Sequence, residues 1–316
     1  MDRRQLVTGL IFGAATAGLA ACGKGGAPSV LKVGSQRGGT KSMLVASGAL
    51  TGLPYKIEWS EFPAAQPLLE AVGAGAVDLG EAGDAPFLFA YAAGAKIKAV
   101  QAGLSGGSST AILVGKDSPI RTAADLKGKR IATGRGSIGH YLALRVAEEA
   151  GLKPADLSIV FLNPADAKAA FTAGSVDAWS TWGAYVAVAR LHDSARILAD
   201  GEGRLSGFLY EAASERAIAD KRALLDDFLV RLAKARRWAA QNPDGFAKVL
   251  AKETGLSPEV ALYTASQYRI RPTPIDQATV GEARAVLDRF RAGGWVTSTR
   301  DPAGAFDASF NAAVTA

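Results

Sequence analysis

The chain has 316 residues, 48% of them hydrophobic and 21% charged, with a formal charge of +6, a balance that marks a soluble globular protein and excludes disordered and membrane-embedded classes. The basic excess is spread along the chain without clusters of Lys and Arg interleaved with aromatics, so nucleic acid is not an expected partner. One cysteine and two widely separated histidines are too few for a disulfide framework, a metal site or a catalytic thiol in the folded body.

At the N-terminus MDRRQ supplies two arginines, LVTGLIFGAATAGL is apolar, and the segment ends Leu19-Ala20-Ala21-Cys22. That is the three-part plan of an export signal, too short and weakly apolar for a membrane anchor. Leu-Ala-Ala-Cys matches the bacterial lipobox, so residues 1–22 are expected to be a lipoprotein signal ending at an acylated Cys22, with export by the Sec or the twin-arginine route. About 290 residues then remain, enough for two lobes with a core each.

The next strand, LKVGSQRG (31–38), closes on a glycine turn, and GAVDLGEAGDAPFLFA (75–90) reads as a strand, a turn and the start of a helix. KRIAT (129–133) is again a strand, followed by GRGSIG (134–139) and a helix over 140–150, whose apolar stripe is Leu142, Ala143, Val146, Ala147 and Ala150. Gly151 ends that helix. The pattern G-x-G-x-x-G suggests a dinucleotide turn, yet the following strand, 158–162, ends at Asn163-Pro164 with no acid to hold a ribose. A glycine turn before a helix start suits some other anion, through free N–H groups and the helix dipole. Serine-hydrolase chemistry is not expected either, since His192 has no credible serine partner. Lys234 to Arg237, the densest basic patch, reads as the solvated face of a helix.

The chain also repeats itself. Residues 75–90 superpose on GSVDAWSTWGAYVAVA (174–189), matching Gly75, Val77 and Asp78 with Gly174, Val176 and Asp177. Residues 31–38 superpose on 129–136, matching Arg37 and Gly38 with Arg135 and Gly136. Each copy reads strand, glycine turn, helix, strand, helix, strand, helix, which predicts two similar α/β lobes with parallel sheets. Ligands of such sheets gather at the carboxyl ends of the strands, here in a cleft between the lobes.

The stretches GSQRG, EWSEFPAAQPLLEAVGAGAVDLGEAGDAP, ILVGKDSPIRTAADLKGKRIA, GSIGHYLALRVAEEAGL, FLNPADAKAAFTAGSVDAWSTW and ARILADG resemble the aliphatic sulfonate-binding proteins of ABC transporters, relatives of the taurine, nitrate and thiamine-precursor receptors. The resemblance runs from about residue 30 to 270 and implies a type II periplasmic-binding fold that closes by hinge motion. Residues 28–108 plus 208–316 would form the first lobe and 109–207 the second. It further implies a monomeric receptor, periplasmic or at the cell surface, held to the membrane by its lipid. Such a receptor passes a small anion to a permease, with no cofactor and no catalytic residue. The anion would be an alkanesulfonate, with nitrate, taurine, sulfate esters and aromatic sulfonates as alternatives. A pyrimidine-precursor-binding protein or enzyme on the same fold is the more remote reading.

Within this frame the expected ligand residues are Gln36 at the end of the first strand, Gly83, Asp84 and Ala85 in a Gly-Asp-x-Pro turn, Gly136, Ser137 and Ile138 at a helix start, His140 beside them, and Trp182 over the ligand tail. Asp84 is expected as a helix cap rather than a direct partner of an anion. Arg37 and Arg135 would steer from the rim, and Trp179 would fill its lobe's core. Where sulfonate and taurine receptors often carry Trp-Asp-Pro-Tyr, this chain has Trp182-Gly183-Ala184-Tyr185. The missing carboxylate predicts a preference for uncharged tails over taurine, unless Glu81 or Glu211 reaches the ligand.

Overall fold

The computed structural model describes residues 29–315, so the signal segment and Cys22 lie outside the described residues. Strand and helix alternate as the apolar periodicity dictates: β1 (Val30–Gln36), α1 (Thr40–Ala46), β2 (Lys56–Phe62), α2 (Ala65–Gly73), β3 (Leu79–Gly83), α3 (Asp84–Ala92) and β4 (Ile97–Leu104). The chain then crosses to a second body: β5 (Thr110–Val114), β6 (Arg130–Thr133), α4 (Ile138–Glu149), β7 (Ser158–Phe161), α5 (Pro164–Thr172), β8 (Ala178–Trp182), α6 (Ala184–Leu191) and β9 (Arg196–Asp200). It returns to the first through β10 (Phe208–Ser214), α7 (Glu215–Asp220), α8 (Arg222–Gln241), α9 (Pro243–Thr254), α10 (Pro258–Gln267), β11 (Arg271–Thr273), α11 (Gln277–Ala292) and α12 (Ala312–Thr315).

The strand orders are β11-β4-β10-β3-β1-β2 and β7-β6-β8-β5-β9. Apart from the added β11, each sheet thus has the same order. Its antiparallel member is the strand that arrives directly from the other lobe, β10 in one case and β5 in the other. The sheets are therefore mixed rather than purely parallel. A strand entering from the opposite lobe runs against the βαβ series, and no local pattern encodes that direction. The fold is the type II periplasmic-binding architecture, two α/β lobes with a cleft between them.

The repeat also preserves a structural device. The Asp78 carboxylate accepts the Lys32 N–H at 2.7 Å, and the Asp177 carboxylate accepts the Arg130 N–H at 2.8 Å, each tying a strand entrance to its neighbour. The two crossings are joined by a hydrogen bond from Ser105 N–H to the Gly207 carbonyl at 2.8 Å. Trp179, 1% exposed, fills the second lobe's core against Phe171 and Tyr185.

The Lys234 to Arg237 patch departs from expectation. Arg236 is fully buried under the first sheet, where its guanidinium reaches Glu81 at 2.6 Å, Glu211 at 2.7 Å and Gln101 at 2.9 Å. The apolar stripe of α8 includes Leu225, Phe228, Leu229 and Leu232. One further turn carries Arg236 onto that same buried face, where sheet carboxylates compensate the desolvation of its charge.

Candidate functional site

The turns at the carboxyl ends of the strands open into a cleft of about 750 Å³ between the lobes. Gly38 and Gly136, equivalent by the repeat, share a left-handed backbone at φ +78° and +66°. At Gly136 a methyl group would also lie 2.6 Å from the Phe89 ring of the opposite lobe, so only glycine fits the turn. Beyond it Ser137 caps α4, its Oγ accepting the His140 N–H at 3.1 Å. The start of α3 faces the same point, because a methyl at Gly83 would sit 3.9 Å from Ile138 Cβ. Two helix N-termini thus meet across the cleft from opposite lobes, and their dipoles favour an anion between them.

Of the residues expected at the ligand, Gln36, Gly83, Ser137, Ile138 and Trp182 line the cleft. Asp84, Ala85, Gly136 and His140 are buried behind that lining. Asp84 is the first residue of α3, not its cap, which is Gly83. Its carboxylate accepts the Ala85 N–H at 2.6 Å, which withdraws that donor from any ligand, and also accepts the Ser206 hydroxyl from the second crossing. Burial pushes the Asp84 carboxyl up to about 6, against the lowering effect of those hydrogen bonds.

His140 is fully buried, packed among Phe161, Phe290 and Trp295 at ring distances of 4.8 to 5.4 Å, and accepts the Gly136 N–H at Nδ1. Desolvation, with Arg135 nearby, holds it down at about 4, so it is a neutral prop behind the turn at Gly136. Arg135 stacks over Phe161 and Trp295 at 5.2 and 5.4 Å, while Arg37 donates to the Thr254 carbonyl at the end of α9. Both line the cleft.

Residues 60–246 match the family described as NMT1/THI5 like. An aliphatic sulfonates-binding protein of Escherichia coli (strain K12) is 40% identical over 242 residues, which cover 75% of each chain. The chain belongs to this family, among its aliphatic sulfonate-binding proteins. The alkanesulfonate-binding protein SsuA from Xanthomonas axonopodis pv. citri, solved bound to MOPS, superposes with a TM-score of 0.82 at 36% identity, covering 89% of this chain and 98% of that one. The periplasmic aliphatic sulphonate binding protein SsuA from E. coli gives 0.78 at 32% identity, covering 88% and 92%.

Part of this family member's cleft escaped the sequence. Leu250, Leu256, Thr264 and Tyr268, on α9, α10 and the segments after them, form a wall opposite Trp182, Tyr185 and Val188. These segments lie outside the internal repeat, so superposing the copies gives no hint of them. Glu81 also lines the cleft, although only 6% exposed, whereas Glu211 is fully buried below it. At the lip Gly183 has φ +58° and ψ −133°, a conformation closed to side chains, so the carboxylate of related receptors could not stand there without a different backbone.

Proposed function

We propose that the protein is the extracytoplasmic substrate-binding component of an ABC importer. It captures small organic sulfonates by closure of its two lobes, residues 28–108 plus 208–316 and 109–207, and delivers them to a permease. The observation that carries this reading is the meeting of the α3 and α4 starts across a largely apolar cleft, with Gly83 and Ile138 in near contact. A sulfonate stays ionised, so neutral dipoles suffice to hold it, and each hydrogen bond to the charged group contributes about 1.5 to 3 kcal/mol. The backbone N–H of Ile138, the Ser137 hydroxyl and the second amide hydrogen of Gln36 are the proposed donors, the Ser137 N–H being taken by the Gly134 carbonyl at 3.1 Å. The first amide hydrogen serves the Glu81 carbonyl at 3.1 Å. The alkyl tail would lie on Trp182 and the Leu250–Leu256 wall, gaining roughly 25 cal/mol for each Å² removed from water.

No covalent step belongs to this reading, and the relatives that support it are binding proteins. The relatives are also periplasmic, and among the described residues no helix is long and apolar enough to cross a membrane. Attachment as a monomer through an acylated Cys22 is the proposed complement. Calorimetry on the mature protein tests the site: butanesulfonate should bind and NAD should not. Binding of NAD, or indifference to every alkanesulfonate, overturns it. Mass spectrometry of the membrane fraction tests the anchor, which is refuted by a soluble protein carrying its intact N-terminus.

A further inference from the structure

The Glu81 carboxylate stands in the wall of a cleft built for an anion, where an acid is a liability unless it meets something. Its Oε2 takes the Arg236 guanidinium at 2.6 Å and its Oε1 the Tyr268 hydroxyl at 2.5 Å, so its position is fixed from two sides. Arg236 is shared with Glu211 at 2.7 Å, and Glu211 Oε2 has no hydrogen-bond partner among the described residues. One guanidinium therefore serves two buried carboxylates, leaving the cluster with negative charge in excess whenever both are ionised. Burial, opposed by the Arg236 charge and reinforced by that of Glu81, raises the Glu211 carboxyl to about 8, so that it holds a proton at neutral pH even beside the guanidinium.

We propose that Glu81, with Tyr268 beside it, forms a cation-recognising corner of the cleft, and that the protein accepts sulfonates bearing an ammonium on a short alkyl chain. The inference rests on the sulfonate reading given above and concerns the other end of the ligand. Glu81 and Gly83 are two residues apart on β3 and so face the same side. About 6 to 7 Å of strand separates them, a span that a two- or three-carbon linker bridges between a sulfonate at the helix starts and an ammonium at the carboxylate. Without such a partner a buried ammonium loses its hydration uncompensated. Gly183 offers none at the lip, and Glu81 supplies one from the opposite lobe. Each Glu81 oxygen carries one hydrogen bond and has a second acceptor site open. The expected preference for uncharged tails therefore gives way to tolerance of both.

The test compares 3-aminopropanesulfonate with its uncharged isostere butanesulfonate by calorimetry on the wild-type protein and on Glu81→Gln. The wild type should bind the two within tenfold of each other. Glu81→Gln, shown folded by circular dichroism, should weaken the zwitterion at least tenfold and leave butanesulfonate within threefold. The proposal is overturned if the wild type binds the zwitterion more than tenfold less tightly, a comparison that stands even if the variant fails to fold. It is equally overturned if Glu81→Gln weakens both ligands alike, since the network would then be structural only. Failure of butanesulfonate to bind the wild type would instead refute the sulfonate reading itself.

Discussion

Replacing Ser137 separates its two roles, because two substitutions disturb them differently. Its Oγ caps α4 by accepting the His140 N–H at 3.1 Å, and it also lies 3.3 Å from the Thr133 hydroxyl. In the proposed site its own proton is free for a sulfonate oxygen. Asp serves as an N-cap as well as Ser does, so Ser137→Asp should keep the helix start and change stability by less than about 1 kcal/mol. The same change places a carboxylate where the sulfonate is held. Two like charges about 4 Å apart at an effective dielectric of about 20 repel by about 4 kcal/mol, close to a thousandfold in affinity. Ser137→Ala does the reverse, costing about 1 kcal/mol of stability through the lost cap and about 1 to 2 kcal/mol of binding through the lost hydrogen bond. Urea denaturation reads the first quantity and calorimetry with butanesulfonate the second. If Ser137→Asp is as stable as the wild type and still binds the sulfonate within tenfold, the anion does not sit at the start of α4.

Asp84 should make stability depend on pH. Its folded value, raised to about 6 from 3.8 by burial, means that the native state holds the proton more tightly than the unfolded chain. Its contribution is therefore fully present below about pH 4 and is lost as the pH rises to about 6, by up to roughly 3 kcal/mol. His140, held at about 4, gives the opposite slope between about pH 4 and 6.5, so the wild type and Asp84→Asn are compared at each pH. The difference should change across that window in urea titrations, and a constant difference contradicts the assignment. Gly183→Ala should cost about 1 to 3 kcal/mol through backbone strain alone, because the added methyl has no neighbour within 4 Å. An unchanged midpoint of denaturation would show that this turn relaxes.

The legible part of the fold was what repeats locally. The glycine turns, the helix after GRGSIG and the Asp78 and Asp177 pair all recur with their geometry, because each depends on neighbours a few residues or one strand away. The position of β5 and β10 in their sheets was not legible, since it follows from where the chain crosses between lobes. The site divides in the same way. Gln36, Gly83, Ser137 and Ile138 occupy strand-end turns, whose exposure to a cleft is a property of the architecture. His140 and Asp84 bear functional chemistry at a helix start, but their burial is decided by Phe290, Trp295 and Ser206, which are distant in sequence. Arg236 was misread for the same reason, as only the facing Glu81 and Glu211 make its burial tolerable.

The two edges of the lobe interface are chemically unlike, and this bears on how a ligand could close the cleft. On one edge Phe290 of the first lobe packs on His140 and Tyr141 of the second at 5.4 and 5.7 Å, with Phe89 5.5 Å from Phe290 on the first lobe's side. Separating these rings would expose large apolar surface. At the other edge α10 meets α6 through His192 and Glu259 at 2.9 Å and through Arg190 and the Tyr263 hydroxyl at 2.8 Å, contacts that are largely solvent-exposed. Exposed pairs of this kind contribute about 0 to 1 kcal/mol each. Opening would therefore break the α6–α10 edge and leave the aromatic edge as the pivot. Moving such an equilibrium from 1:99 to 99:1 takes about 5.5 kcal/mol of differential binding. The polar latch is too weak to supply that by itself. In the proposed site a sulfonate held by Gln36 of the first lobe and by the start of α4 in the second can, because its hydrogen bonds to α4 would exist only when the lobes are together.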